Sequence, residues 1–299
     1  MSILIDSSTR ILVQGITGGQ ARFDTQWSLG YGARIVAGVT PGKAGEAVHG
    51  VPVYGSVMDA LSAHAADLSV IYVPPAFVKA AAMEAIVAGV KLLVITAEYV
   101  PVHDALYVFA AAREAGARVV GCNTNGMISP GRTKVGGVGG MKPDEIFAPG
   151  SIGVCSRSGG MTAEIALTLK AAGLGISTSI GMGGDAITGT TMAEFVELFE
   201  RDPDTLGMVI FGEPGTANEA EVAALIRTGR VAKPVVALLA GAFQERYPRG
   251  QSFGHAAAMI ASAQDTVTAK KLELAEAGAS VAASLDEVPA LLRARPARP

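Results

Sequence analysis

Short apolar runs alternate along this chain with longer stretches in which alanine, leucine and valine recur among polar residues at helical spacing. The runs at 10–15, 34–39, 68–73, 91–96 and 118–122 are short and almost wholly apolar, which predicts buried parallel strands. Helices are predicted between them at 18–31, near 76–88 and near 103–115. From 131 to 150 the pattern lapses into glycine, lysine and proline, as a linker would. Alternation then resumes, with strands at 151–155, 175–182, 207–212 and 234–240. Helices are expected at 158–172, 191–201, near 217–228 and in the alanine-rich run that His255 opens. Such alternation implies right-handed crossovers and doubly wound parallel sheets. The expectation is two α/β domains joined near 127–150.

Composition narrows the function classes. A chain of 299 residues has room for two cores, and 49% hydrophobic with 17% charged residues excludes a disordered chain. The low charge fraction also hints that another subunit covers part of the surface. A net charge of −3 without a basic stripe argues against nucleic-acid binding. The mean hydropathy of +0.38 would suit a membrane protein. However, the most apolar region, 68–100, is cut by Pro74, Pro75, Lys79, Glu84 and Lys91 and cannot span a bilayer. The opening Met1-Ser2-Ile3-Leu4-Ile5-Asp6 lacks the basic flank and apolar core of a secretory signal. Cys122 and Cys155, both at strand ends, read as reduced thiols of a cytoplasmic protein, and two thiols alone make no metal site. The tail 293–299 is expected to fray.

Four glycine-rich segments carry candidate chemistry. Gln14-Gly15-Ile16-Thr17-Gly18-Gly19-Gln20-Ala21 joins a strand to a helix, a turn that aims backbone N–H groups and the positive helix end at a phosphate. The second strand ends Gly38-Val39-Thr40-Pro41-Gly42-Lys43, with a lysine where a dinucleotide site would place a ribose-binding carboxylate. Lysine suits a phosphate on the ribose, which NADP and coenzyme A both carry. Ser156-Arg157-Ser158-Gly159-Gly160 and Gly183-Gly184-Asp185 repeat the anion-binding theme, the first able either to cap a helix or to cradle phosphate. Glu213 stands at a strand's carboxyl end, where it can orient an imidazole and leave one ring nitrogen nucleophilic. Of the four histidines, His49, His64 and His103 read as solvated, whereas His255 follows Gly254, which lets another group approach the backbone closely. The chain has no Walker A sequence, so a phosphoryl donor for His255 must be held elsewhere, most simply on another subunit.

These segments together resemble the alpha subunit of succinate–CoA ligase, over nearly the whole length. The resemblance is carried by residues 1–6, the 38–43 and 156–159 segments, Gly183-Gly184-Asp185, Gly212-Glu213 and Gly254-His255-Ala256. It implies a Rossmann-like coenzyme A-binding domain over 1–127, a linker over 128–150, and a flavodoxin-like ligase domain over 151–299. By the same resemblance, Thr17, Gly18, Gly19, Gln20, Lys43, Thr96, Ala97 and Glu98 contact coenzyme A, and His255 is phosphorylated with Glu213 orienting it. Ser156, Ser158, Gly159, Gly160 and Asn123 would meet phosphate or substrate. It further implies a beta subunit of ATP-grasp fold holding ATP or GTP with Mg, a small dicarboxylic acid as substrate, and a place in the tricarboxylic acid cycle.

The sequence departs from the family at three places. Gly121-Cys122-Asn123-Thr124-Asn125-Gly126 replaces a Gly-Pro-Asn-Cys-Pro-Gly run, and Ala163 stands where tyrosine is common. The stretch 241–250 is longer than usual and lacks a basic pair. Loss of an aromatic ring with gain of Thr124 and Asn125 predicts a wider, more polar acid site, hence a substituted relative of succinate such as malate. Two other classes stay open: an NADP-dependent oxidoreductase, and a ligase-derived coenzyme A-binding protein without catalysis.

Overall fold

The computed structural model describes residues 2–255 and 257–294. Ala256 of the histidine segment, Met1 and residues 295–299 of the tail lie outside the described residues.

The first sheet contains β1 (Arg10–Gln14), β2 (Arg34–Val39), β3 (Ala47–Val48), β4 (Val51–Tyr54), β5 (Leu68–Ile71), β6 (Leu92–Ile95) and β7 (Arg118–Val120). Its order is β3-β4-β2-β1-β5-β6-β7, all neighbours parallel except the β3–β4 hairpin. Helices α1 (Gly19–Gly30), α2 (Val57–Ala63), α3 (Val78–Val87) and α4 (Val102–Glu114) supply the crossovers. β5 and β6 are buried at every position, which is why they read as unbroken apolar runs. With the small β3 hairpin set aside, this is the Rossmann strand order, and its order reverses between β1 and β5.

The second sheet has the order β14-β13-β12-β10-β11-β8-β9. Its members are β8 (Gly126–Ser129), β9 (Thr133–Val135), β10 (Pro149–Ser156), β11 (Ile176–Gly181), β12 (Gly207–Gly212), β13 (Val235–Leu239) and β14 (Ser280–Ala282). The helices are α5 (Pro143–Ile146), α6 (Gly159–Ala171), α7 (Met192–Arg201), α8 (Asn218–Arg227), α9 (Val267–Ala277) and α10 (Val288–Ala294). The order β11-β10-β12-β13-β14 is flavodoxin-like, with its reversal between β10 and β12. Both sheets therefore place a crevice where outgoing strands diverge.

Two sequence expectations need correction. The stretch expected to link the domains instead begins with β8 and β9, an antiparallel hairpin laid along the outer edge of β11. Met127, Ile128 and Val135 are buried there, so the hairpin covers a sheet edge that would otherwise stand open. The helix expected to open at His255 does not form. Ser252 and Met259 make an antiparallel bridge, Gly250 N–H donates to the Ile260 carbonyl at 2.9 Å, and Ala258 and Ile260 are buried. Burial of alternate side chains outweighs alanine's helix preference, and α9 starts only at Val267, where the Thr266 hydroxyl accepts from Ala269 N–H.

Candidate active site

His255 sits at the carboxyl edge of the second sheet, beside the β10–β12 crevice. β12 ends at Gly212, and the next residue, Glu213, turns its carboxylate to the ring: His255 Nδ1 lies 2.8 Å from Glu213 Oε2. A carboxylate only accepts, so Nδ1 is the donor, and in the neutral ring Nε2 keeps its lone pair. The hydrogen bond to Glu213 is the chief reason the imidazole pKa is raised, and it outweighs partial burial. The ring is closely packed. It packs against Gly184, where a Cβ would fall 2.5 Å from the ring's Cδ2 and 2.8 Å from Nε2. Only glycine admits the ring there.

A buried guanidinium frames the pair. Arg157, 2% exposed, donates from Nη2 to the carbonyls of Gly184 and Asp185 at 3.1 Å each, and its Nε stands 3.9 Å from Glu213 Oε2. One side chain thus fixes both the shelf under the imidazole and the carboxylate that orients it. Behind Glu213 lies a buried ion pair. Lys270 Nζ donates to the Glu213 carbonyl at 2.8 Å, to the Gly215 carbonyl and to Glu219 Oε2 at 2.5 Å. Glu219 Oε1 accepts from Glu213 N–H at 3.3 Å. The backbone of Glu213 is therefore held from both sides.

The turn after β10 runs beside this edge, since Ser156 pairs with Phe211. The Ser156 hydroxyl is spent within the turn, donating to Ser158 O at 2.7 Å and accepting from Ser158 N–H at 3.1 Å. What faces outward is the first turn of α6, with Gly159 and Gly160, and its Ser158 cap makes no side-chain hydrogen bond to it. Asn123 has a left-handed φ of 57° and hydrogen-bonds Asp185, whose pKa is raised chiefly by burial. The hydroxyl of Thr124 is also committed, to Gly181 O and from Gly126 N–H. Asn125 Nδ2 donates to Gly159 O at 3.1 Å and to Thr162 Oγ1 at 3.3 Å. Of the two residues expected to add hydrogen-bond partners for the acid, Asn125 instead braces the α6 turn and Thr124 ties the end of β11 to β8.

The first sheet contributes a cavity of about 570 Å³ at its own reversal point, bounded by Thr17, Gly18, Val39, Thr40, Tyr72 and Phe77 among others. Gly18 caps α1 without a side-chain hydrogen bond, so the amides of its first turn, with Gly19 and Gln20, face outward at the mouth. Thr17 and Thr40 hydroxyls are 3.2 Å apart, and Lys43, half exposed on the following turn, pairs with Glu46 at 3.0 Å. Thr96, Ala97 and Glu98 follow β6 at the same edge. The Thr96 hydroxyl donates to Ile71 O at 2.9 Å, Asn123 N–H donates to Ala97 O at 2.9 Å, and Glu98 acts electrostatically on both Asp185 and His255. Of the expected residues, Thr17 and Gly18 line the cavity, Gly19, Gln20 and Lys43 lie on the segments that continue from its lining, and Glu98 acts on the histidine.

Cys122 and Cys155 are buried and their thiols are pushed up by burial, Cys122 to about 12. Among the described residues no helix is long and apolar enough to cross a membrane.

Comparison with known proteins agrees with this two-domain layout. Residues 6–99 match the family described as CoA binding domain, and residues 155–280 the family described as CoA-ligase. A coenzyme A-binding unit followed by a CoA-ligase unit defines a subunit of a CoA ligase. An ADP-forming succinate–CoA ligase alpha 2 subunit of Archaeoglobus fulgidus is 45% identical, covering 98% of this chain and 99% of that protein. An ADP-forming sulfoacetate–CoA ligase subunit of Acholeplasma sp. is 43% identical, covering 94% of each. A malate–CoA ligase alpha subunit of Methylorubrum extorquens is 41% identical, again covering 94% of each. The solved ATP citrate lyase of Methanothrix soehngenii, in complex with citrate and coenzyme A, is 26% identical with a TM-score of 0.91. It covers 98% of this chain, which spans 50% of that longer one. The chain belongs to the succinate–CoA ligase alpha-subunit family, among the ADP-forming CoA ligases.

Proposed function

We propose that the chain is the alpha half of an ATP-dependent carboxylate–CoA ligase, and that His255 carries phosphoryl between nucleotide and acid. The observation that carries this reading is the 2.8 Å contact of His255 Nδ1 with Glu213 at the reversal point of the second sheet. The nucleotide, held with Mg on a beta subunit of ATP-grasp fold, supplies the phosphoryl group. His255 accepts it on Nε2, the N–P bond forming as the bond to the departing ADP breaks, while Glu213 balances the imidazolium charge. The first turn of α6, with Ser158, Gly159 and Gly160, steadies the anionic group without reorganising water. Nε2 then gives the phosphoryl to a carboxylate oxygen, converting a poor acyl donor into an acyl phosphate. Coenzyme A, when bound, supplies the thiol that displaces phosphate.

The cradle fits coenzyme A on three grounds: the helix-end amides of Gly19 and Gln20 in the first turn of α1, a basic Lys43 on the turn after β2 to meet a ribose phosphate, and an apolar wall that includes Phe77. The acid is a short one bearing a carboxylate and a second anionic group, which describes the acids named for the succinate, malate and sulfoacetate relatives alike. With the Thr124 hydroxyl and Asn125 Nδ2 already hydrogen-bonded within the protein, the missing aromatic ring at Ala163 is the main feature that favours malate over succinate. Assay of the assembled enzyme on succinate, malate and sulfoacetate ranks the three. Acyl-CoA formation from any of them by wild type, abolished in His255→Asn, supports the reading; equal turnover by that variant contradicts it.

A further inference from the structure

One buried cluster outside the two sites joins the domains. Lys134, in the middle of β9, has no exposed surface, and its Nζ donates to Gly140 O at 2.9 Å. Facing it from α1 are Asp24 and Thr25, both buried. Asp24 is a relay point: Oδ2 accepts the Tyr72 hydroxyl at 2.8 Å and Oδ1 accepts from Gln20 Nε2 at 3.0 Å. Tyr72 walls the 570 Å³ cavity, and Gln20 lies in the first turn of α1, two residues after Gly18 of the cavity wall. The segment after β9 presses on the same carboxylate, for a Cβ at Gly137 would fall 3.1 Å from Asp24 Oδ2.

Between Lys134, Asp24, Thr25 and Ser28 lies a cavity of about 10 Å³, room for a single water. The Thr25 hydroxyl on its wall is buried and has no hydrogen-bond partner in the protein. Asp24 and Tyr72 are the titratable groups that share this cavity with Lys134. Burial pulls the lysine down to about 8, and the Asp24 charge opposes that fall. A buried ammonium with one carbonyl partner is costly unless a carboxylate and further hydrogen bonds compensate it.

We propose that Lys134 is a positioning residue for the coenzyme A cradle. One water in the small cavity joins its ammonium and the Thr25 hydroxyl to Asp24, and Asp24 in turn sets Gln20 and the Tyr72 hydroxyl. The ligase domain thereby reaches across to hold the cradle in its binding shape. The inference rests on the coenzyme A reading of that cavity.

The test uses Lys134→Met, which keeps the volume and removes the charge, and Asp24→Asn, which keeps an acceptor for Tyr72. Calorimetry gives the Kd for coenzyme A without requiring turnover. Assay of the assembled enzyme gives its KM, kcat and the rate of His255 phosphorylation. Lys134→Met is expected to raise Kd and KM about tenfold while kcat and phosphorylation stay within about twofold. Asp24→Asn should act in the same direction, and the double variant should be no worse than Lys134→Met alone. An unchanged Kd in Lys134→Met, or a phosphorylation rate that falls in step with coenzyme A affinity, overturns the proposal. Should Lys134→Met not fold, Asp24→Asn alone decides it by the same two readouts. Wild type that binds coenzyme A but never phosphorylates His255 contradicts the catalytic reading and leaves the positioning result to stand on Kd.

Discussion

At the scale of single residues, the account turns on an imidazole whose two nitrogens have different jobs. Glu213 accepts a hydrogen bond from Nδ1–H, so nucleophilicity is confined to Nε2. The same bond raises the pKa of His255 above its ordinary value of 6.5. The pair's contribution to stability is therefore complete below pH 6.5 and is lost as pH rises through the raised value. Phosphorylation runs the other way, because only the neutral ring attacks. Its rate should climb with pH through that raised value in wild type. In Glu213→Gln the limb should move down towards 6.5 and the plateau should fall about 10²-fold, measured as initial rates of phosphoprotein formation. Gly184→Ala makes a separate prediction. A methyl group 2.5 Å from the ring's Cδ2 must push His255 off its shelf, so phosphorylation should drop sharply while coenzyme A still binds. An active Gly184→Ala enzyme would show that the ring works from another position.

At the scale of elements, the buried Lys270–Glu219 pair welds α9 to α8 behind Glu213. Lys270 is 3% and Glu219 0% exposed, and burial is the main reason the Glu219 carboxyl is raised. Removing one partner leaves a lone buried charge. Lys270→Met should lower unfolding free energy by about 3–5 kcal/mol, and the double change with Glu219→Leu should recover most of it. Equilibrium unfolding in urea measures both, and equal losses in single and double variants would refute this. Neither residue was legible from the sequence, since each falls in an ordinary amphipathic helix and the two are 51 positions apart. Arg157 was quoted in its motif, but nothing in the spacing indicates that its guanidinium turns back to bridge Gly184 and Glu213. The strands and helices themselves were legible, because parallel strands buried on both faces leave unbroken apolar runs. The alanine-rich run after His255 failed for the opposite reason: its conformation is set by contacts with Gly250 and Ser252, and local preference is overridden.

At the scale of the whole molecule, two sheets present their reversal points to a shared edge, where Asn123 N–H meets Ala97 O and Glu98 acts on Asp185 and His255. On the proposed function, the thiol of coenzyme A and a phosphorylated His255 would meet at this border. The chain alone should bind coenzyme A in preference to NADPH, read by calorimetry, and stronger binding of NADPH would restore the oxidoreductase alternative. In the sequence, strand end and glycine marked Glu213 and His255 singly, and only the family resemblance made them partners. It missed that the supposed linker opens with a hairpin covering the second sheet.

The most direct measurement is the mapping of nucleotide-derived phosphoryl in the assembled enzyme. With γ-labelled ATP and no acid or coenzyme A, label should appear on this chain, resist base, be lost in acid, and localise to His255. It should be absent in His255→Asn, and chase into acyl phosphate should follow addition of the acid. Acyl-CoA formation at an undiminished rate without label on His255 would contradict the account.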